Sequence, residues 1–183
     1  MDRRWLVGKA TPAITRRMPI TPLPSSFAAP PMRALIELIA ESYRRLTGRD
    51  LVPPAGDPVE PLWAAPRAII AHCSAADPIF FFGNRVALDR FEMTAEAFTA
   101  MPSRLSAEPV LRAERQALLE RVARDGFIDD YSGIRVSATG RRFRIERATV
   151  WNLIDADGLV QGQAATFEQA TDLPVRGGGG TAK

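Results

Sequence analysis

The sequence contains a single cysteine, Cys73, and a single histidine, His72. One cysteine excludes an intramolecular disulfide, and one histidine excludes zinc sites that need several Cys and His ligands. No apolar run approaches the roughly 18 to 20 residues that span a bilayer, and no apolar stretch follows the basic N-terminus as in a signal peptide. We therefore expect a cytoplasmic protein without a metal site or a membrane segment.

The sequence also lacks the patterns of common catalytic sites. Gly177 to Gly180 follow no strand and open no helix, so they do not form a phosphate-binding loop. His72 and Cys73 are neighbours in a predicted strand, so their side chains point to opposite faces and cannot form a dyad. The sequence pattern places no two aspartates together, so it assigns no carboxylate pair of acid and base. We predict a protein that is not an enzyme.

The excess positive charge is confined to one end of the chain. The net charge is +3, but residues 1–31 hold five basic residues and one acidic residue. Residues 32–167 hold 17 basic and 18 acidic residues, and are therefore nearly neutral. Because binding to nucleic acid backbones needs clustered positive charge, we predict that the globular part binds no nucleic acid.

Both ends of the chain have the composition of disordered segments. Residues 1–31 combine six prolines with small residues and no hydrophobic period, and residues 168–183 contain four consecutive glycines. Such segments bury too little apolar surface to offset the entropy of ordering. We predict one domain over residues 32–167, between a disordered N-terminal extension and a disordered tail.

The sequence pattern in the first part of that domain predicts a helix over residues 32–46. Its apolar residues recur at spacings of four, three, four and three, and Gly48 follows. This spacing fits a coiled-coil seam of two heptads, through which two copies of the chain or a partner protein of the same fold would pair. It fits equally a helix packed on its own domain. The residues of this stripe are Met32, Ile36, Ile39, Tyr43 and Leu46.

The remaining pattern predicts an α+β fold. Asn84, Thr94 and Ser106 are placed to cap successive helices, and short turns separate the last three strands. We expect a five-stranded antiparallel sheet with helices on one face, preceded by the N-terminal helix and enclosing a ligand cavity. The predicted strands are 68–73, 79–82, 127–136, 142–154 and 159–167, and the predicted helices after the first are 85–91, 94–101 and 107–125.

The order of these elements resembles a PAS domain, in which an apolar strand ends in an Asn that starts a small helix. More specifically, five segments are similar to the MEKHLA domain, and the match covers about residues 32 to 167. The resemblance implies a PAS-like fold in a sensory family without an established ligand, so it names no cofactor. The segments are 32–48, 77–84, 102–109, 126–133 and 142–152.

Seven residues are our candidates for contact with a small ligand. Phe80, Phe82 and Trp151 are aromatic residues of predicted strands, where they serve either as core or as cavity lining. Arg104 and the arginines of 141–147 could hold an anion, although salt bridges to Asp129, Asp130 or Glu146 are the commoner use. The full set is Cys73, Phe80, Phe82, Asn84, Arg104, Tyr131 and Trp151.

Three functions therefore stay open. The first is a sensory domain that binds a small ligand between sheet and helices and signals through its N-terminal helix or a dimer interface. The second is a protein interaction module with a filled core. The third is a small α+β isomerase or dehydratase, which requires an acid and a base to meet in a cavity.

Overall fold

The computed structural model describes residues 21–54, 56–108 and 112–174, without the side chains of 112–116 and 119. A single-turn 3-10 helix, Ser103–Ser106, lies between the fifth and sixth helices. In chain order the elements are α1 (Ser25–Ala28), α2 (Pro30–Thr47), α3 (Val59–Ala64), β1 (Ala68–Cys73), β2 (Phe80–Gly83), α4 (Arg85–Phe91), α5 (Ala95–Thr99), α6 (Arg112–Asp125), β3 (Phe127–Val136), β4 (Arg142–Ile154), β5 (Val160–Phe167) and β6 (Gln169–Asp172).

The strands form one antiparallel sheet in the order β2-β1-β5-β4-β3. The sixth strand, β6, follows β5 after the single residue Glu168 and pairs with the first half of β4. Strands β5 and β6 together therefore run along β4. The predicted α+β class and the five predicted strands are confirmed, and β6 is added to them.

Helices cover both faces of the sheet. Trp151 of β4 lies beside Ala164 and Ala71 in the strand register, and its ring packs on Tyr43 of α2. We call this the outer face. The following residue, Asn152, points to the opposite face, where its side chain contacts α6.

We call the opposite side of the sheet the inner face. Asn152 shares it with Gln163 and His72, its neighbours in the register. The ring of Phe80 lies beside His72 and stacks on Phe98 of α5, with ring centroids 4.4 Å apart. Helices α5 and α6 therefore cover the inner face, whereas α2 covers the outer one.

Helix α2 buries its apolar stripe in its own domain. Ile36, Ile39 and Tyr43 are at most 4% exposed, and Met32 and Leu46 pack beside them. The prediction that these five residues form a dimer seam is therefore corrected, since they pack within their own chain. The stripe faces the sheet of the same chain, because two heptads gain more by joining an existing core than by pairing alone.

The ordered structure extends further at both ends than the predicted domain. Phe27 of α1 is 1% exposed and packs against Phe82 and Trp63. Trp63 donates a hydrogen bond to the Thr21 carbonyl oxygen at 2.8 Å. At the other end β6 forms because β4 offers unpaired backbone groups beyond the end of β5. The disorder predicted for residues 1–20 and 175–183 lies outside the described residues.

Two predicted helix caps are confirmed and one is corrected. Asn84 and Thr94 accept hydrogen bonds from the third residue of α4 and α5, respectively. Ser106 was predicted to cap a helix from residue 107, but its hydroxyl donates to the Ser103 carbonyl oxygen within the 3-10 helix. Ala107 is extended and pairs with Arg135 of β3, so the described part of α6 begins only at Arg112.

Candidate functional site

Two side-chain amides lie on the inner face beneath α6. Gln163 Nε2 donates to Asn152 Oδ1 at 3.1 Å, and Asn152 Nδ2 donates to the Val122 carbonyl oxygen at 3.4 Å. Asn152 is buried and Gln163 is half-buried. Among the described residues no donor reaches Gln163 Oε1, so this oxygen can accept a hydrogen bond from a ligand.

The apolar contacts around these amides form a small cluster of their own. Val122 of α6 packs with Ile128 of β3 and Val150 of β4, and Leu118 adds a partly buried side chain. This cluster is separate from the main core. The described part of α6 therefore rests on a few apolar side chains above two polar ones, which is the usual composition of a ligand site.

The region beneath α4 and α5 is filled by aromatic rings. Phe91 lies 5.5 Å from Phe98 and 5.3 Å from Phe143 of β4, and Phe98 stacks on Phe80. All four rings are at most 2% exposed. We therefore place the candidate site beneath α6, next to this aromatic wall.

The structure separates the residues that we expected to line one cavity. Phe80 and Tyr131 lie on the inner face, but Phe82 packs on α1 and Trp151 on α2. Cys73 is opposite Gly162 in the register and shares the outer face. Phe80 and Phe82 point to opposite faces because β2 has a bulge where it pairs with His72. The extra residue in the bulge reverses the alternation of side chains along the strand.

Asn84 and Arg104 have structural roles in this arrangement. Asn84 is completely buried, and backbone groups satisfy its side-chain amide on both sides. Arg104 is exposed and donates to Asp77 Oδ1 at 3.0 Å. Neither of these two predicted ligand contacts is on the inner face beneath α6.

The run of arginines at 141–147 mostly forms salt bridges. Arg144 pairs with Glu146, as expected, and Arg142 pairs with Glu108. Arg141 lies between Glu92 and Asp172. Hydrogen bonds from Ser137 and Thr139, followed by the charge of Arg141, hold the pKa of Glu92 below its usual value. These ion pairs explain Arg141, Arg142 and Arg144 without a bound anion.

Sequence reasoning missed Asn152, Gln163 and Arg135 as inner-face residues. The available signal was polar residues inside strands that are otherwise apolar, as in Trp151-Asn152-Leu153. A polar residue in a strand is ordinarily assigned to solvent. Only the helix that covers this face shows that Asn152 is buried.

The family model of the MEKHLA domain matches residues 33–172. The chain belongs to the MEKHLA domain family. Among curated proteins, it is 30% identical over 138 residues to homeobox-leucine zipper protein ATHB-8 from Arabidopsis thaliana, covering 71% of this chain and 16% of that protein. It is 27% identical over 135 residues to protein HOX29 from Oryza sativa subsp. indica, covering 70% and 16%, respectively. This MEKHLA chain thus spans about a sixth of the length of these relatives.

Solved structures show that the MEKHLA fold is PAS-like. A PAS domain from Colwellia psychrerythraea has a TM-score of 0.52 at 12% identity, over 62% of this chain and 92% of that one. An RNA-binding light-oxygen-voltage receptor has a TM-score of 0.54 at 18% identity, over 67% and 35%. At these identities the likeness shows the fold alone. The predicted PAS-like fold is confirmed.

His72 and Cys73 do not form a catalytic pair in the MEKHLA domain. His72 lies on the inner face and Cys73 on the outer face, so the two side chains do not converge. Within residues 21–54, 56–108 and 112–174, no three Asp, Glu, His or Cys side chains are grouped as metal ligands. In the same ranges, no helix has the length and apolar character of a membrane span.

Two tryptophans near α1 and α2 provide a first prediction. Trp63 Nε1 donates to Thr21, whereas no acceptor in the described residues reaches the buried Nε1 of Trp151. Trp63→Phe and Trp151→Phe remove the same volume, but only the first also breaks a hydrogen bond, and the second removes an unsatisfied donor. We expect Trp63→Phe to lower the free energy of unfolding by about 2 kcal/mol more than Trp151→Phe. Urea unfolding would measure this difference, and equal losses would contradict it.

Proposed function

We propose that this MEKHLA domain is a sensory module that binds a small molecule between the inner face and α6, without covalent chemistry. The observation that carries the proposal is the amide pair of Asn152 and Gln163, in which Gln163 Oε1 accepts no hydrogen bond from a described residue. Gln163 is half-buried, and its side-chain oxygen can accept a hydrogen bond from a ligand donor. The aromatic and aliphatic walls around it supply the apolar area that small-molecule sites need.

We further propose that the signal leaves through strand β4 to helix α2. Asn152 faces the ligand side, and its neighbour Trp151 packs on Tyr43 at a ring distance of 5.0 Å. The Ser42 hydroxyl donates to the Ile154 carbonyl oxygen and accepts from the Ile154 nitrogen. A shift of β4 caused by the ligand would therefore move the contacts of α2 on the other face. The cytoplasmic location stays a prediction.

The test is native mass spectrometry of the freshly purified full chain. We expect an additional mass of a few hundred daltons that is released on denaturation, since sites of this kind hold small organic molecules. Gln163→Leu should abolish the retained mass, because it removes both the donor to Asn152 and the acceptor Oε1. Gln169→Leu is the matched control, since Gln169 is exposed on β6 and lies outside the site.

Other outcomes separate this function from its rivals. A bare chain, with no thermal shift across a panel of metabolites, would refute ligand binding and favour an interaction module with a filled core. Turnover of any panel compound would instead favour an enzyme. If the Gln163→Leu variant still retained the additional mass, the ligand would not bind at the amide pair on the inner face.

A further inference from the structure

Strand β3 carries Tyr131, Gly133 and Arg135 on the inner face. The three residues alternate along the strand, and Tyr131 packs against the apolar cluster beneath α6. A Cβ atom at Gly133 would lie 2.4 Å from the Tyr131 oxygen and 3.3 Å from Arg135 Nη1. The glycine therefore leaves room for the Tyr131 side chain to lie along the strand and reach Arg135.

Arg135 is held in place by these neighbours. Its Nη2 donates to the Tyr131 oxygen at 3.0 Å, and its Nη1 donates to the Ile134 carbonyl oxygen at 3.1 Å. The guanidinium carbon lies 5.2 Å from the centre of the Tyr131 ring. The side chain is half-buried and oriented by a hydrogen bond and a cation–π contact.

Arg135 nevertheless has no carboxylate partner among the described residues. The described glutamate near it in the fold, Glu108, pairs with Arg142 instead. Arg67 and Arg121, by contrast, each form an ion pair. A guanidinium has five N–H donors, of which the described neighbours of Arg135 use two, so its other donors and its charge have no partner among the described residues.

We propose that Arg135 binds the anionic group of the ligand, which is an organic acid or a phosphate ester. The planar guanidinium matches carboxylate and phosphate oxygens through paired hydrogen bonds. The Tyr131 ring beside it provides apolar contact for the rest of the molecule. Tyr131 connects Arg135 to the apolar cluster beneath α6, so this inference rests on the proposed function and assigns a chemical class to its ligand.

The experiment compares charged and neutral probes on the full chain by NMR titration at constant ionic strength. The pairs are benzoate with benzamide and phenyl phosphate with phenol, and inorganic phosphate tests the anion alone. We expect a charged probe to bind about tenfold more tightly than its neutral partner, with amide shifts in β3 and β4. The first pair reports a carboxylate site and the second a phosphate site.

Three variants assign the effect to one side chain. Arg135→Gln should remove the preference for the charged probe, and Arg135→Lys should restore part of it. Arg144→Gln should retain it, because Arg144 is exposed and paired with Glu146. Equal binding of charged and neutral probes, no binding of any probe, or an unchanged preference in Arg135→Gln would refute the inference. A retained neutral molecule in native mass spectrometry would refute it as well, while upholding the proposed function.

Discussion

Replacing Asn84 with alanine is expected to cost the domain about 4 kcal/mol of its free energy of unfolding. The side chain is completely buried, and its oxygen accepts from the Ile69 nitrogen at 3.0 Å and from the Ala87 nitrogen at 3.1 Å. Its nitrogen lies within hydrogen-bond distance of three carbonyl oxygens, those of Leu62, Ala65 and Arg67.

The expected loss is large because one amide joins three elements of the fold. It caps α4, anchors β1 and holds the end of α3 with the segment that follows it. The alanine variant leaves several of these backbone groups without partners in the interior, and each unsatisfied buried group costs about 1 to 3 kcal/mol. Urea unfolding followed by circular dichroism measures the loss.

Thr94→Ala is the matched control for the cap alone. Thr94 is exposed and accepts one hydrogen bond from the Ala97 nitrogen, so we expect a loss of about 1 kcal/mol. If Asn84→Ala cost no more than Thr94→Ala, the buried amide would not hold the elements together.

Asn84→Asp provides an independent check through pH. The introduced carboxyl faces the carbonyl oxygens that now accept from the amide nitrogen, so its charged form is disfavoured and its pKa is raised in the folded state. The stability of the variant therefore has its full value below about pH 3.9, the pKa of the carboxyl in the unfolded chain. It decreases as the pH rises through the pKa of the carboxyl in the folded state. A stability independent of pH relative to the parent chain would contradict this.

Gly162→Ala should destabilise the domain by about 3 kcal/mol. An added Cβ at Gly162 would lie 2.0 Å from the backbone oxygen of His72 and 3.2 Å from the Cα atom of Cys73. Both atoms belong to the backbone of β1, which pairs with β5 over its whole length. The methyl group can therefore be accommodated only if the two central strands move apart.

The control for this variant is Gly140→Ala in the turn between β3 and β4. Gly140 has a φ of 82°, and no atom lies within 4 Å of an added Cβ, so the cost is backbone strain of about 1 kcal/mol. Hydrogen exchange should show faster exchange of β1 and β5 amides in Gly162→Ala alone. A smaller loss for Gly162→Ala than for Gly140→Ala would show that the strands adjust freely.

Much of the secondary structure was predictable because it depends on local patterns. The stripe of α2 has a helical period, Asn84 and Thr94 have the side chains of N-caps, and Gly48 ends α2 in a left-handed conformation. The start of α6 was not predictable in this way. Ser106 has the chemistry of a cap, but the pairing of Ala107 with Arg135 prevents a helix there.

The candidate site was predictable only in its outline. The predicted α+β order led us to expect a ligand between sheet and helices, and Phe80 and Tyr131 lie on that face of the sheet. Phe82, Trp151 and Cys73 were expected at the same place and lie on the outer face. Their residue types suit either location, so composition could not decide between them.

The sequence by itself determined the order of helices and strands and the α+β class, because propensity, period and capping act between neighbours in the chain. Only the tertiary structure decided which face each strand residue occupies. Single-residue bulges in β2, β3 and β4 reverse the alternation of side chains, and their positions depend on pairing with distant strands. The burial of Asn152 and the position of Arg135 beside Tyr131 on the inner face follow from that long-range pairing.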